Sequence, residues 1–164
     1  MPFAPVDNNG AVLFYEDSGA PDATEEYTTL VLFHGIMYTN GIFAKLLPFA
    51  ARHHVRLIRV NQRDYPPSSL FTPLELEEFN STDKNAQARC LANRGTEVAN
   101  LLVHLIDTLK LPPISANNDA KAVGGISVLG WSMGTHLPFA LLSNASALLP
   151  QIQQQLQHYL RSAV

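Results

Sequence analysis

Ser132 stands in a sequence pattern that is typical of a nucleophilic serine. It lies in Gly130-Trp-Ser132-Met-Gly134, a G-x-S-x-G pattern that directly follows the apolar run Ile126–Leu129. Between a buried strand and a helix, this pattern forms a sharp turn that exposes the serine hydroxyl, and its two glycines leave room for a crowded backbone. The turn also places the serine at a helix N-terminus, where free N–H groups favour negative charge. The pattern therefore predicts that Ser132 attacks an electrophilic carbonyl carbon.

A second glycine pattern overlaps the first one. Gly125 and Gly130, followed by Trp131-Ser132, have the spacing of a phosphate-binding loop. In such a loop a lysine after the second glycine contacts the phosphates, whereas here Trp131 occupies that position and supplies no charge. The dinucleotide pattern G-x-G-x-x-G does not occur in the sequence. We therefore reject nucleotide binding, and the sequence indicates no cofactor.

Two further segments follow predicted strands. His34-Gly35 follows Leu30–Phe33, and the segment 61–68 (NQRDYPPS) follows Val55–Val60. Together with the serine pattern, these segments stand in the order that is typical of the α/β-hydrolase superfamily. The chain resembles the N-terminal part of a serine-nucleophile α/β-hydrolase, and the resemblance covers most of its length.

The resemblance implies both a reaction and a set of site residues. The reaction is esterase-like hydrolysis of a small-molecule ester, lactone, thioester or amide, and a serine at this position disfavours the carboxylate-nucleophile chemistry of related epoxide hydrolases and haloalkane dehalogenases. The backbone N–H groups of Ile36 and Met133 would form the oxyanion hole. The residues with an implied structural role are His34, Gly35, Gly130 and Gly134. In segment 61–68, Asp64 and Pro66 stand where glycines are common in the superfamily, and we expect turns there and no catalytic group.

A serine hydroxyl needs a base, and the base needs an acid that orients it. The resemblance implies that both come from loops after later strands, yet only 32 residues follow Ser132. We expect residues 1–164 to be an incomplete domain, truncated after the helix that follows Ser132, with the next strand beginning near Arg161. We also expect a structural role for His136 and for His158. A non-catalytic fragment or pseudo-enzyme is the alternative hypothesis.

The periodicity of apolar residues predicts the elements that must position these groups. Buried strands, a capped short helix that begins at Thr72 and a long helix from Lys84 to Leu109 are indicated. The other predicted elements are strands at Ala11–Tyr15, Leu30–Phe33, Val55–Val60 and Ile126–Leu129 and helices at Phe43–Arg52 and Leu149–Tyr159. Strands that read as continuous apolar runs and alternate with helices predict an α/β fold, with a mostly parallel sheet covered by helices on both faces. If the strand order is that of the superfamily, Ile126–Leu129 would have an open apolar edge prone to aggregation.

Composition narrows the classes of partner. The chain has 164 residues, of which 46% are apolar, and a formal net charge of −3, so we expect a globular domain with a small-molecule substrate and no nucleic-acid partner. Cys90 is the single cysteine, and neither a disulfide nor a thiolate metal site is indicated. The N-terminus has no signal-peptide pattern and no stretch is long enough to span a membrane, from which we expect a cytoplasmic protein without bound metal.

Overall fold

A six-stranded sheet forms the centre of the molecule. The computed structural model describes residues 2–21, 27–116 and 122–164. The strands lie in the order β1-β2-β4-β3-β7-β8, and a separate two-stranded hairpin contains β5 and β6. The strand bounds are β1 Phe3–Pro5, β2 Val12–Asp17, β3 Thr28–Phe33, β4 Val55–Val60, β5 Ser115–Ala116, β6 Ala122–Val123, β7 Ile126–Gly130 and β8 Leu160–Ala163.

The sheet is mostly parallel, as the sequence predicts. Strands β4, β3, β7 and β8 run parallel to one another, whereas β1 and β2 are antiparallel to their neighbours. In β3, Val31 and Phe33 belong to the larger apolar cluster and Leu32 belongs to the smaller one. Because the two clusters lie on opposite faces of the sheet, successive positions of β3 must be apolar, which explains the run Leu30–Phe33.

Helices cover both faces of the sheet. The long helix α3 packs against α4, α5, α2 and β1 over the larger apolar cluster. Phe43 and Ala50, from a helical segment after β3, cover Leu32 and Leu57 on the other face. The helix bounds are α1 Leu47–Ala50, α2 Pro73–Asn80, α3 Lys84–Leu109, α4 His136–Ser143 and α5 Pro150–Tyr159, with 3₁₀ turns at Asn40–Leu46, Ala51–His53, Ser132–Thr135 and Ala145–Ala147.

Side chains cap the starts of α2 and α3. The Thr72 hydroxyl accepts a hydrogen bond from the Glu75 N–H, and the Glu75 carboxylate accepts one from the Thr72 N–H. Asp83 caps α3 at its start, and Lys110 ends the helix in a left-handed conformation (φ 51°). These caps satisfy backbone groups that a helix leaves without a partner. The cap of α2 was predicted from the sequence, whereas the start of α3 was predicted from its apolar periodicity alone.

Two expectations about elements need correction, and one strand was not predicted. The segment Phe43–Arg52 is mainly 3₁₀ and contains only the single α-turn α1. The helix after Ser132 was expected to extend to about Pro150 but ends at Ser143, where the Asn144 side chain donates to the Ala140 carbonyl. Strand β1 was not predicted, because a three-residue run beside prolines carries too little periodicity.

The expected open edge of β7 is wrong. Leu160–Ala163 forms β8, which pairs in parallel with β7, and the Val164 N–H and carbonyl extend this pairing to Val128 and Gly130. One later strand is therefore present after the helix at which truncation was expected, and β7 has neighbours on both sides. In the described residues, no helix combines the length and the apolar character that crossing a membrane would require.

Candidate active site at the end of strand β7

Ser132 occupies a tight turn between β7 and the helical segment that leads into α4. Its backbone is left-handed (φ 56°), a conformation that non-glycine residues rarely adopt and that stores strain. The Trp131 N–H donates to the Phe33 carbonyl (2.9 Å), which fixes the turn to the end of β3, and the Gly134 N–H donates to the Trp131 carbonyl (2.9 Å). The Ser132 side chain is exposed. The turn therefore presents a hydroxyl at the carboxyl end of the sheet.

Two glycines permit this turn because the backbone approaches itself closely there. A Cβ atom added to Gly130 would lie 2.3 Å from the Gly134 carbonyl oxygen, and one added to Gly134 would lie 2.4 Å from the Phe33 carbonyl oxygen. Both distances are shorter than real Cβ contacts, and the neighbouring atoms belong to the backbone. The spacing of the pattern thus has a direct steric cause.

The loop after β3 lies against the serine. A Cβ atom on Gly35 would be 3.0 Å from the Ser132 Cβ and 3.1 Å from the Trp131 ring, so the loop and the turn are in van der Waals contact. The Trp131 indole also packs edge-on against Tyr38, with ring centroids 5.2 Å apart. The N–H of Ile36 makes no hydrogen bond to the described residues. The Met133 N–H lies in the first helical turn, where N–H groups lack partners within the helix.

His34 is a buried structural residue of that loop. Its Nδ1–H donates to the Gly35 carbonyl (2.8 Å), because a carbonyl can only accept, and its Nε2 accepts the Gln62 N–H (3.1 Å). The ring also packs edge-on against Tyr65 at 4.5 Å between centroids. Burial lowers the pKa of His34, against a smaller opposing effect of the Gly35 hydrogen bond. Both ring nitrogens are occupied in the neutral form, so His34 has none left to act as a base.

Segment 61–68 holds the loop after β3 in place through hydrogen bonds. The Tyr65 hydroxyl accepts the Met37 N–H (2.9 Å), and the Asn61 Oδ1 accepts the Asn40 N–H (2.8 Å). Within the segment, two backbone turns close from Tyr65 to Gln62 and from Ser68 to Tyr65. These bonds position the residues that contact Ser132, and they agree with turns as the expected structure of this segment.

A cleft of about 540 Å³ opens beside the turn. Ile36, Met133 and His136 line the cleft next to Ser132, and apolar side chains from α2 and α3 line much of the remainder. This volume falls within the range of small-molecule sites, which is roughly 300–1,000 Å³.

An ion-pair cluster at this cleft was missed by the sequence analysis. The Arg63 Nη1 donates to Glu97 (2.5 Å) and its Nη2 to Glu75 (2.9 Å), while the Arg94 Nη2 lies 2.9 Å from Glu75 and 3.0 Å from Glu97. The cluster joins segment 61–68, α2 and α3. Its one sequence signal is the spacing of Arg94 and Glu97 by three residues on a helix, which is too common to identify a buried cluster.

The two carboxylates of this cluster have opposite pKa shifts. Burial raises the pKa of Glu97 to about 7 because it outweighs the attraction of Arg94 and Arg63. Burial would also raise the pKa of Glu75, but hydrogen bonds from Thr72, Arg94 and Arg63 outweigh it and bring the pKa to about 2. Glu75 is thus the firmly ionised member of the pair.

The described residues bring no histidine and carboxylate together at Ser132. The His136 Nδ1–H donates to the Met133 carbonyl within its own helical turn, and the hydroxyl of Ser132 has no hydrogen bond to a histidine in residues 2–21, 27–116 and 122–164. Every ion pair found there uses arginine as the cation. In the same residues, no group of three or more histidine, cysteine or acidic side chains is placed to hold a metal ion.

Comparison with known proteins gives structural likeness only. No family model matches the sequence, and no curated protein matches it. Among solved structures, an esterase from Exiguobacterium antarcticum is 21% identical with a TM-score of 0.52, and the match covers 87% of this chain and 39% of the esterase. A hydrolase from Pseudomonas aeruginosa is 23% identical with a TM-score of 0.51, covering 83% of this chain and 38% of that one.

An epoxide hydrolase from Vigna radiata is similar at 14% identity and a TM-score of 0.51, covering 85% of this chain and 33% of its own. The chain therefore spans between a third and two fifths of the length of these structures. All three matched proteins are members of the α/β-hydrolase superfamily. At such low identities the likeness concerns the fold, and with the parallel sheet and the turn at Ser132 it leads to one conclusion: this chain has the α/β-hydrolase fold.

Proposed function

We propose that Ser132 is the nucleophile of a hydrolase that acts on the carbonyl group of a small-molecule ester, lactone, thioester or amide. The observation that carries the proposal is the left-handed turn at Ser132 at the end of β7, in contact with the loop at Gly35. Such a turn exposes the hydroxyl to a substrate while the sheet holds it rigidly. The adjoining cleft has a volume suited to a small molecule.

The backbone N–H groups of Ile36 and Met133 are the proposed oxyanion hole. Both residues line the cleft beside Ser132, and the Ile36 N–H has no hydrogen-bond partner among the described residues. Removing one such donor from a serine hydrolase costs about 3–4 kcal/mol of transition-state stabilisation. Two fixed donors would thus account for much of the rate enhancement that does not depend on a base.

We propose that the general base and its acid come from outside the described residues, because no histidine there hydrogen-bonds to the Ser132 hydroxyl, and His34 and His136 both donate Nδ1–H to backbone carbonyls. We therefore propose that residues 1–164 are an incomplete α/β-hydrolase domain and that hydrolysis belongs to the full-length product. The competing hypothesis is a non-catalytic chain, and the lack of a base at Ser132 in the described residues favours it for the 164-residue chain alone.

The test is a comparison of the 164-residue chain with the full-length product, each incubated with a fluorophosphonate probe and an activated ester such as p-nitrophenyl acetate. We expect rapid stoichiometric labelling and turnover by the full-length product, and slow or no reaction by the short chain. Loss of the triad in serine hydrolases leaves only about 10³–10⁴-fold acceleration over water. Ser132→Ala should abolish labelling, whereas Ser146→Ala, at an exposed position in a separate turn, should leave it intact.

Two results would contradict the proposal. Labelling of the full-length product that persists in Ser132→Ala would place the nucleophile elsewhere. Turnover by the short chain that is lost in both Ser132→Ala and His136→Ala would show that His136 supplies the base and that no outside residue is needed.

A further inference from the structure

Among the described residues, two buried nitrogen atoms of Arg94 find no hydrogen-bond partner. The residue is only 6% exposed, and its Nη2 makes both contacts to the cluster, with Glu75 at 2.9 Å and Glu97 at 3.0 Å. Its Nε and Nη1 have no partner in residues 2–21, 27–116 and 122–164. A buried N–H without an acceptor has lost its hydration and gained no hydrogen bond, so orphaned donors of this kind are uncommon in folded proteins and call for an explanation. Arg63, the neighbouring cation, uses all three of its nitrogens.

The unpartnered guanidinium belongs to the wall of the cleft beside Ser132. Arg94 lines that cleft together with Phe71, Phe79 and Leu91. The guanidinium carbon of Arg94 lies over the Phe71 ring, 4.6 Å from the ring centroid, and that of Arg63 lies 4.9 Å from the same centroid. The Arg94 guanidinium is therefore buried beside apolar side chains and against one aromatic ring. Phe71 follows segment 61–68 outside any helix or strand, and rotation of its ring would give a ligand access to those donors.

The charges of the cluster select against an anionic ligand. At pH 8, above the pKa of about 7 that burial gives Glu97, two carboxylates face the two guanidinium groups, so a third negative charge would lie close to Glu75 and Glu97. It would also lose its hydration in the same apolar surroundings. An uncharged carbonyl or ether oxygen is not repelled by the carboxylates and loses no hydration of a charge, and it can still accept a hydrogen bond from a guanidinium N–H. The donors therefore favour a neutral acceptor.

We propose that this cleft binds an uncharged compound with an apolar body and a carbonyl or ether oxygen, and that this oxygen accepts a hydrogen bond from Arg94 Nε or Nη1 as the ligand displaces the Phe71 ring. The inference rests on the proposed function only in taking such a compound as the substrate of Ser132. In that case the substrate class is an ester that carries a second, neutral oxygen remote from the bond that is cleaved.

Binding to the 164-residue chain tests this proposal without catalysis. Three matched ligands differ in one feature: benzylacetone has a neutral carbonyl, 3-phenylpropionate has a carboxylate, and propylbenzene has no acceptor. We expect calorimetric titration at pH 8, where Glu97 and Glu75 are both ionised, to give benzylacetone an affinity at least about tenfold above that of the other two, the usual scale for a hydrogen bond that satisfies a buried donor. Bound ligand should also slow the reaction of Cys90, the single cysteine and a residue of the cleft wall, with a thiol reagent. Equal binding of benzylacetone and propylbenzene, or tighter binding of the carboxylate, would overturn the proposal.

A matched pair of variants assigns the donor. Arg94→Lys keeps a cation for Glu75 and Glu97 but removes Nε and Nη1, and we expect it to lose the preference for benzylacetone while retaining propylbenzene binding. Arg89→Lys changes an exposed arginine of the same helix and should preserve the preference. If Arg94→Lys keeps the tenfold preference, Arg94 is not the donor and the proposal fails.

A measurement on the unaltered chain covers the case in which Arg94→Lys does not fold. The Nε–H resonance of Arg94 should shift on addition of benzylacetone and remain in place with propylbenzene, and an unmoved resonance at saturating benzylacetone would overturn the proposal. Ligand binding to the 164-residue chain involves no chemical step, so it is measured independently of labelling at Ser132. Failure of probe labelling at Ser132 would thus contradict the proposed function alone, and failure of the ligand preference would contradict the role of Arg94 alone.

Discussion

At the scale of single residues, the backbone of Ser132 is the most unusual feature of the site. A serine in the left-handed region is strained by contacts of its own Cβ, and glycine occupies this region without that penalty. The strain is balanced by the bonds that hold the turn between Phe33, Trp131 and Gly134. The fold therefore carries a local energetic cost at the one position from which the serine hydroxyl is presented.

This strain predicts an unusual order of stability among variants at one position. Ser132→Gly should raise the free energy of unfolding by about 1 kcal/mol relative to Ser132→Ala, because glycine accepts a positive φ and alanine does not. Thermal denaturation followed by far-ultraviolet circular dichroism measures the difference. As a matched control, Ser146→Gly should be no more stable than Ser146→Ala, and a Ser132→Ala variant as stable as Ser132→Gly would show that the turn is relaxed.

The site residues could be predicted from the sequence only where one short segment carries the whole signal. Gly130, Ser132 and Gly134 lie within five positions, so their pattern is visible in the sequence. Arg63, Glu75 and Arg94 come from three separate elements, and only the folded chain brings them together. No spacing in the sequence specifies such a meeting, which is why the cluster was missed.

At the scale of elements, the ion-pair cluster is what joins α2 to the long helix α3. Glu75 is at once the capping residue of α2 and a partner of both Arg63 and Arg94. Glu97 completes the cluster from α3, where burial opposes its charge. The position of α2 over the cleft thus depends on the ionisation of two carboxylates whose pKa values are shifted in opposite directions.

The raised pKa of Glu97 predicts that stability falls as pH rises. Since the folded chain holds this proton up to about pH 7, above the ordinary range of a glutamate, its contribution is fully present below about pH 4.5 and is lost as pH rises through 7. The groups facing it are Arg63, Arg94 and Glu75, and the lowered pKa of Glu75 adds stability that is lost only as pH falls towards 2. The contribution of Glu97 to the Tm should therefore decrease between pH 5 and pH 8, whereas the lowered pKa values of His34 and His104 act in the opposite direction, so the effect of Glu97 is measured as a difference from a variant.

Glu97→Gln isolates this effect. The variant cannot ionise at position 97, so its Tm should fall by a few degrees less than that of the unaltered chain over the same range, as differential scanning calorimetry would measure. Glu77→Gln, at an exposed position of α2, should follow the unaltered chain. A Glu97→Gln variant with the same or a steeper decline would show that Glu97 is ionised throughout and that the two arginines outweigh its burial.

Elements with strong local signals were predicted closely. The bounds of α3 and β4 are those expected from periodicity and caps, since a long amphipathic helix and a fully buried strand each repeat one pattern many times. The segment after β3 was expected to be a regular helix and is mainly 3₁₀, because its apolar residues fit either geometry over so short a length. The local sequence pattern therefore predicted whether a segment is a helix or a strand, but it did not predict whether a short helix is α or 3₁₀.

At the scale of the whole molecule, the pairing of β8 with β7 decides how the sheet ends. The strand was expected near Arg161 but its pairing was not, because sequence gives no register between strands that lie 30 residues apart. In the structure, Leu160–Ala163 covers the edge of the strand that carries Ser132, and the Arg161 side chain donates to Thr28 and to the Gly124 carbonyl. The turn at Ser132 is therefore supported from both neighbouring strands.

Deletion of residues 160–164 should destabilise the chain and cause self-association. The change removes the hydrogen bonds between β7 and β8 and exposes an apolar strand edge, which favours pairing with other molecules. Size-exclusion chromatography with light scattering would detect the association, and the Tm should fall. Ser162→Ala keeps the backbone pairing and loses only the hydroxyl contact with Ser127, so it should remain similar to the unaltered chain. A deletion variant that stays monomeric with an unchanged Tm would show that β8 contributes little.

The contact of Trp131 with the loop after β3 has a spectroscopic consequence. Trp131 is the only tryptophan of the sequence, it adjoins Ser132, and its indole packs on Tyr38 and Gly35. Tryptophan fluorescence of this chain therefore originates entirely at the mouth of the site. An unfolding transition followed by emission reports when the serine turn separates from the loop, whereas circular dichroism reports when the sheet and helices are lost. A fluorescence midpoint at a lower temperature than the circular dichroism midpoint would show that the site opens before the fold is lost.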